Sequence, residues 1–465
     1  MRHLDVMKIS LSTEQYTGFI ENSISLQVAE THLRVVRLQS IHDVDEKLWD
    51  SINAKKDLFH THRFLRSVED AKVENSNFWY LLFYSQEALV GTAVLSSFIV
   101  SLDLLMGGML QKFIMFLRLF LPHFLKIKIL FCGLPISIGK NGLTISNPSW
   151  GEELLRLLVK EMEQIAHKHK IQMICFKEFL NDEDQGIHIL TKFQFLRANS
   201  IPYMRMKIPW KNFQSYLAAM RHNYRRHVLR SLKKLGHSEP LIQTYASSKI
   251  ISDKPTLILA NHSVCSHQQF YSLYLEVMAH AEIKLETLNE PFFEYFYKNM
   301  DQDMEVLAMV RGEQILAAAI LTVYRKVMTF FLAGLDYSKL NEHDIYFNLL
   351  YGIVSRALQR GCTQLDLGQT PYWLKQCIGA RETPAHFYIR AERWYLHWLL
   401  KTFRFILFPE LKLKPIHVFR EAGQDDVSDL PFIRGRTRNA VFVDSNIYSK
   451  GENHETHTYK AENRS

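Results

Sequence analysis

The sequence predicts a mixed α/β (α+β) fold of two tandem domains, each with a mixed, largely antiparallel sheet, joined by a helical linker. Three observations predict it. Two apolar segments broken by a short polar turn, "LLFYSQEALVGTAVL" (81–95) and "LAMVRGEQILAAAIL" (307–321), each read as a β-hairpin and align at an offset of 226, with Glu87 on Glu313. Downstream of each, a stretch with helical spacing leads into a strand: "ELLRLLVKEMEQIAHKHK" into "IQMICFKEF" (171–179), and "YFNLLYGIVSRALQRG" into "CTQLDLGQT" (362–370), at an offset of 191. Finally, 465 residues with 47% hydrophobic and 22% charged content are globular in composition and long enough for two or three domains.

Residues 1–30 are weakly patterned and are expected to be a mobile terminus. A first domain follows over 31–210. The difference between the two offsets gives it about 35 extra residues between hairpin and helix, which fall across 98–131. That insertion is very apolar, but Asp103, Lys112, Arg118, Lys126 and Lys128 interrupt it, so no run reaches the ~18 uncharged residues of a spanning helix. Between Gly107-Gly108 and Pro122, Met109 to Leu121 fits an amphipathic helix with Gln111, Lys112 and Arg118 on one side and Phe113, Leu117 and Phe120 on the other. Such a helix lies in a membrane interface or caps the first sheet, and the sequence leaves both open.

The linker, 211–279, reads as mainly helical. "FQSYLAAMRHNYRRHVLRSLKKLG" (213–236) sets Tyr216, Leu217, Met220, Tyr224, Val228 and Leu232 on one side, with Gly236 as the stop, and a second helix is expected from about 266 to 281. The second domain spans 280–420 and closes on an aromatic-basic helix, "WYLHWLLKTFRFILF" (394–408), in which Trp394, Tyr395 and Trp398 are residue types of membrane interfaces. A polar tail, 421–465, ends the chain.

Charge and cysteine content narrow the setting. An excess of Lys+Arg over Asp+Glu, 56 against 48, with a pI near 9.0, suits an anionic partner such as nucleic acid, a nucleotide, an acidic lipid or a phosphorylated substrate. The five cysteines form no C-x-x-C pair, which fits reduced thiols in the cytoplasm, and the N-terminus lacks the apolar core of a secretion signal.

The residues that carry chemistry cluster at a strand end. "LDLGQTPYWLKQCIG" (365–379) puts Asp366 at the close of a strand and Lys375 on the loop beyond it, with Gln369 and Tyr372 bordering the same loop. Lys177 and Glu178 hold the matching strand end in the first half. The ordinary alternative for each pair is a surface ion pair.

This arrangement resembles the FemAB-like, double-GNAT family of acyl- and aminoacyltransferases, in its peptidoglycan biosynthesis/recognition branch. The resemblance rests on "DLGQTPYWLKQCIG" and on "LFCGLPISIGKNGL", "ICFKEF", "FLRANSIPYMRMKIPW" and "YLAAMRHNYRRHVLR" in order, over roughly 31–392. Leu367 and Leu374 stand where the family has aromatics.

The resemblance implies tandem GNAT-like (acyl-CoA N-acyltransferase) domains and transfer of an acyl or aminoacyl group to an amine on a cell-wall or lipid-linked precursor. The donor is acyl-CoA or aminoacyl-tRNA, with no resident cofactor. "LDYSKLNEHDIYFNLL" (335–350) lacks the Gly-rich loop that lets backbone N–H groups approach a pyrophosphate, which counts against CoA and toward tRNA. The resemblance also implies Lys375 and Asp366 as catalytic and Lys177, Glu178, Gln369, Tyr372, Tyr224, Arg225 and Arg226 as substrate-binding, the last three on a basic helix suited to phosphate. A GNAT-like module that only binds its precursor is the rival.

One other motif competes. "PTLILANHSVCSHQQF" (255–270) ends an apolar run in Asn-His, like the Asn-His-x4-Asp box of glycerolipid acyltransferases, but His267 holds the position of the Asp. His262, Cys265 and His267 as metal ligands would need a fourth from elsewhere, so loop residues are the default and no metal is expected.

Overall fold

The two hairpins form as the alignment predicts, and they share a defect. In the first, β2 (Asn77–Ser85) and β3 (Ala88–Ser101) slip register between Phe83 and Tyr84. In the second, β10 (Met304–Arg311) and β11 (Gln314–Tyr324) slip between Met309 and Val310. The same offset that aligns the hairpins carries one bulge onto the other. A bulge aims a strand locally and is not recreated by chance at matching places.

The computed structural model describes residues 33–101, 126–180, 186–244, 254–281, 286–340, 342–411 and 413–420. The expected mobile termini, 1–30 and 421–465, and most of the apolar insertion, including Met109 to Leu121, lie outside those residues.

Around the first hairpin stand β1 (Leu33–Leu38), α1 (Glu46–Lys56), α2 (His62–Asp70), β4 (Lys126–Cys132), the short β5 (Leu143–Ile145), α3 (Gly151–Lys168), β6 (Met173–Leu180) and β7 (Leu196–Lys207). Around the second stand β9 (Thr256–Ala260), α6 (His267–His280), α7 (Glu290–Met300), β12 (Val327–Leu335), α8 (Ile345–Gln359), β13 (Gln364–Asp366), α9 (Tyr372–Cys377) and β14 (Arg381–Ala391). Between the halves come α4 (Phe213–Ala219), α5 (His222–Leu235) and β8 (Ile242–Thr244), and α10 (Trp394–Leu407) follows β14.

All but β5 join one path: β1-β2-β3-β4-β6-β14-β7-β13-β12-β11-β10-β9-β8. Read from its centre outward in both directions, the order repeats itself. β4 and β6 are parallel, as are β12 and β13. At the centre each half gives its last strand to the other: β14 runs antiparallel to β6, β7 runs antiparallel to β13, and β7 pairs with β14 between them.

Helices cover both faces. α3 begins with Glu152 and Glu153 and ends with His167 and Lys168, complementing its dipole, and buries Leu154, Leu158 and Met162 on the first half of the sheet. α8 is apolar nearly all round and sits in the main core of the second half. A third core is shared: α2 packs on α7, with Phe64 6.1 Å from Phe296, and Phe59, from the turn between α1 and α2, lies 5.2 Å from Phe331 of β12. All five cysteines are buried, and no disulfide joins any two of them.

Two sequence expectations need correction. The segment 211–279 holds helices, but it also contributes β8 and β9, and β9 borders β10 as β1 borders β2. "TLILA" is a short apolar run whose spacing cannot distinguish a strand from a buried helix. The helix expected over 213–236 breaks in two, because Met220 forms a β-bridge with Phe419 and the Arg221 N–H donates to the Val418 carbonyl (2.9 Å). Gly236, at φ 86°, does close α5.

Candidate active site

The parallel pairing of β12 with β13 stops at Thr329 and Asp366. Beyond it the chain turns to follow β7: the Leu367 N–H donates to the Met204 carbonyl and the Met204 N–H to the Gly368 carbonyl, both at 2.8 Å. Gly368 makes this turn at φ 68°, open to a residue without Cβ. The two strands part, and a groove opens between them. Its walls are Thr329, Phe330 and Phe331 of β12, Asp366 and Gly368, Tyr203, Met204 and Arg205 of β7, and Ser137, Ile138 and Gly139 from the loop after β4.

Asp366 is 9% exposed and is held from two sides. The Arg205 Nε lies 3.3 Å from its Oδ1, and the Gln364 amide donates to the same oxygen at 2.7 Å. Its ion-pair partner is therefore Arg205 and not Lys375.

Lys375 does not stand on a loop. It lies on α9, 3% exposed, with its amine donating to the Gln369 and Thr370 carbonyls and 5.8 Å from the centre of the Phe330 ring, which lines the groove. Burial pulls its pKa from the ordinary 10.5 down to about 7. Gln369 is half-buried and donates to the Ile201 carbonyl of β7 (2.8 Å), and Tyr372 packs against the second core.

The first-half pair joins the same region by a different route. The Lys177 amine donates to the carbonyls of Leu134 (2.9 Å) and Ile136 (3.2 Å), filling the place where β4 and β6 would part. Glu178 is buried at φ 64°, a conformation that costs a residue with a side chain about 1–3 kcal/mol. Its Oε1 accepts from the Tyr203 hydroxyl (2.9 Å), so Glu178 reaches the groove through Tyr203. Burial and the Glu178 charge push that phenol well above its usual range. On the opposite side Glu286, from the second half, accepts from the Ser137 N–H (2.7 Å) and hydroxyl (3.1 Å), and burial raises its pKa.

Tyr224, Arg225 and Arg226 lie elsewhere. They are on α5, outside the groove lining: Tyr224 packs against the second core, Arg225 is half-buried and Arg226 is exposed with Arg230 and Lys233. The competing Asn-His segment is taken up structurally. Cys265 is buried, its thiol pushed up to about 12, His262 pairs with Asp301 (2.8 Å), and His267 opens α6. Among the described residues no group of three or more His, Cys, Asp or Glu is placed to hold a metal.

The N-terminus of α8 is acidic. Asp344 occupies the cap position, its carboxylate accepting from Lys234 (2.7 Å) and Ser231 (2.9 Å), with Glu342 paired to Arg311 and Asp336 just upstream.

Sequence reasoning missed Tyr203, Arg205 and Glu286. For the first two a signal was present: in "PYMRMK" strand alternation sets Tyr203 and Arg205 on one face. Glu286 has no local signal.

Residues 222–376 match the family model described as Acetyltransferase (GNAT) domain. Among solved structures, FemX is 12% identical over 78% of this chain and 99% of its own, with a TM-score of 0.51. The C-terminal domain of a putative lysylphosphatidylglycerol synthetase from Agrobacterium fabrum (11% identity, 78% and 96% covered, TM-score 0.45) and a conserved protein of unknown function from Bacteroides thetaiotaomicron (10%, 76% and 98%, 0.42) are more distant in shape. No curated protein matches the sequence. The fold is thus that of a FemAB-like, double-GNAT protein. The family match takes in β12 and β13, the strand pair that parts at the groove, and supports an N-acyltransferase or aminoacyltransferase.

Proposed function

We propose that the protein moves an acyl or aminoacyl group from CoA or aminoacyl-tRNA to the amine of a cell-wall or lipid-linked precursor, in the groove between β12 and β13. The observation that carries this reading is the groove itself, an opening at the end of a parallel strand pair that belongs to the GNAT segment, with a held carboxylate on its wall. Acyl transfer needs a neutral amine, a route for its proton and positive potential where the carbonyl oxygen gains charge. Asp366 orients the incoming amine. Lys375 stands behind Phe330, where low polarity lets its charge act strongly, and its near-neutral pKa suits it to exchange a proton near pH 7. Glu178, through Tyr203, and Lys177 shape the acceptor side, with Gln369 and Tyr372 holding the turn between Asp366 and Lys375.

Aminoacyl-tRNA is the favoured donor. Asp336, Glu342 and Asp344 make the start of α8 unfavourable for a pyrophosphate, whereas the exposed Arg226, Arg230 and Lys233 on α5, beside Tyr224 and Arg225, suit an RNA backbone. A lipid-linked acceptor would bring the reaction to the cytoplasmic face of the membrane.

Purified protein assayed with acetyl-CoA, longer acyl-CoAs and charged tRNA against amine-bearing precursors tests the reading. Lys375→Met should lower turnover roughly tenfold or more, as loss of an oxyanion-stabilising group does. Undiminished rates in that variant would remove Lys375 from the mechanism. Saturable precursor binding with no donor accepted would leave a binding module in place of an enzyme.

A further inference from the structure

α10 has two apolar faces and only one core. Its inner face, Leu396, Leu400 and Leu407, packs with Phe408 on the sheet surface made by Ile129 of β4 and Met173 of β6. Its outer face carries Trp394, Trp398 and Phe405, at 81%, 57% and 71% exposure, with Tyr395 and Leu399 beside them. At helical spacing the first three fall within a narrow stripe on the side opposite the core contacts. Isolated exposed apolar side chains are ordinary, but a contiguous stripe of this size on one helix marks a contact surface.

The chemistry of the stripe selects what covers it. Indole and phenol side chains concentrate where an apolar body meets a polar boundary, and the flank is basic: Arg393, Lys401 and Arg404 line one side of the stripe. Arg393 donates to the Tyr395 hydroxyl (2.9 Å) and Arg404 lies 4.5 Å over the Phe405 ring, so the cations are carried on the aromatic groups themselves. The carboxylate next to the helix start, Glu392, is bound by Arg390 (3.2 Å). A second copy would set this basic flank against its own like charge, while an anionic bilayer supplies both the apolar layer and the opposite sign.

We infer that α10 is an interfacial membrane helix, docking the protein onto an anionic bilayer with Trp394, Trp398 and Phe405 inserted among the lipid headgroups. α10, at 14 residues, is shorter than the ~20 a spanning helix needs, so its contact lies along the bilayer surface. It stands independently of the transfer chemistry.

Flotation with vesicles of phosphatidylcholine, alone or with phosphatidylglycerol, tests it on the full chain. The wild type should float with the anionic vesicles, less so in high salt or with Lys401→Glu, and the double variant Trp394→Glu/Trp398→Glu should lose roughly tenfold or more of the binding. Trp398→Ser/Phe405→Ser, a milder change on the same stripe with thermal melting as a folding control, should lose binding in the same direction. Three results would overturn the inference: no flotation of the wild type, equal flotation of wild type and both double variants, or a lipid-free dimer by light scattering that the double variants convert to monomer.

Discussion

At the scale of single residues, Lys375 stands out as a buried amine bonded to two backbone carbonyls. Its folded pKa of about 7 lies below the ordinary 10.5. Between those values the unfolded chain holds a proton that the folded chain has released, so stability rises with pH across that window. Below it both states are protonated, and the full cost of burying the charge is present. In urea unfolding from neutral to mildly alkaline pH, the wild type should therefore gain stability relative to Lys375→Met as pH climbs. A constant difference between the two would mean an ordinary amine. Asp366 and Lys375 were legible in the sequence as charges among apolar neighbours, but their partners were not. Arg205 meets Asp366 only because β7 crosses to the other half, and no local pattern records that pairing.

At the scale of elements, the loop after β4 shows how tightly the groove is built. It returns to β3 at Gly142, whose carbonyl accepts from the Val94 N–H (2.8 Å), while the Gly133 N–H donates to the Val94 carbonyl (2.9 Å). A Cβ on Gly142 would stand 2.5 Å from the Gly133 nitrogen and 2.8 Å from the Val94 oxygen, backbone atoms that no rotamer change can move. Gly142→Ala should cost about 1–3 kcal/mol and displace Ser137 to Gly139, whereas Gly151→Ala, with nothing near its Cβ, should melt like the wild type. Equal melting temperatures would show that the loop yields. Elements with a strong period were legible: both hairpins, α3, α8 and α10 stand where the sequence puts them. Short ones were not. β8 and β9 are too brief for alternation to speak, and α9, six residues long, takes its shape from the core beneath Leu374 and Ile378.

At the scale of the whole molecule, the exchange of β7 and β14 makes the two halves depend on each other. Residues 209–420 alone would keep the GNAT segment but lose β6 and β7, baring the edge of β13 and both sides of β14. That fragment should be recovered aggregated, because an open apolar edge recruits further strands. A soluble, cooperatively melting fragment would show that the exchange is dispensable. The duplication was legible from the aligned hairpins, while the exchange was not, since nothing in either half's own pattern says which sheet its last strand will join. The exchange also sets a schedule. β6 leaves the ribosome some two hundred residues before β14 is made, which at typical synthesis rates is an interval of about 10–40 s. Throughout it the β6 edge lacks the strand that covers it in the finished fold, and an uncovered edge is where a growing chain is most open to pairing with another.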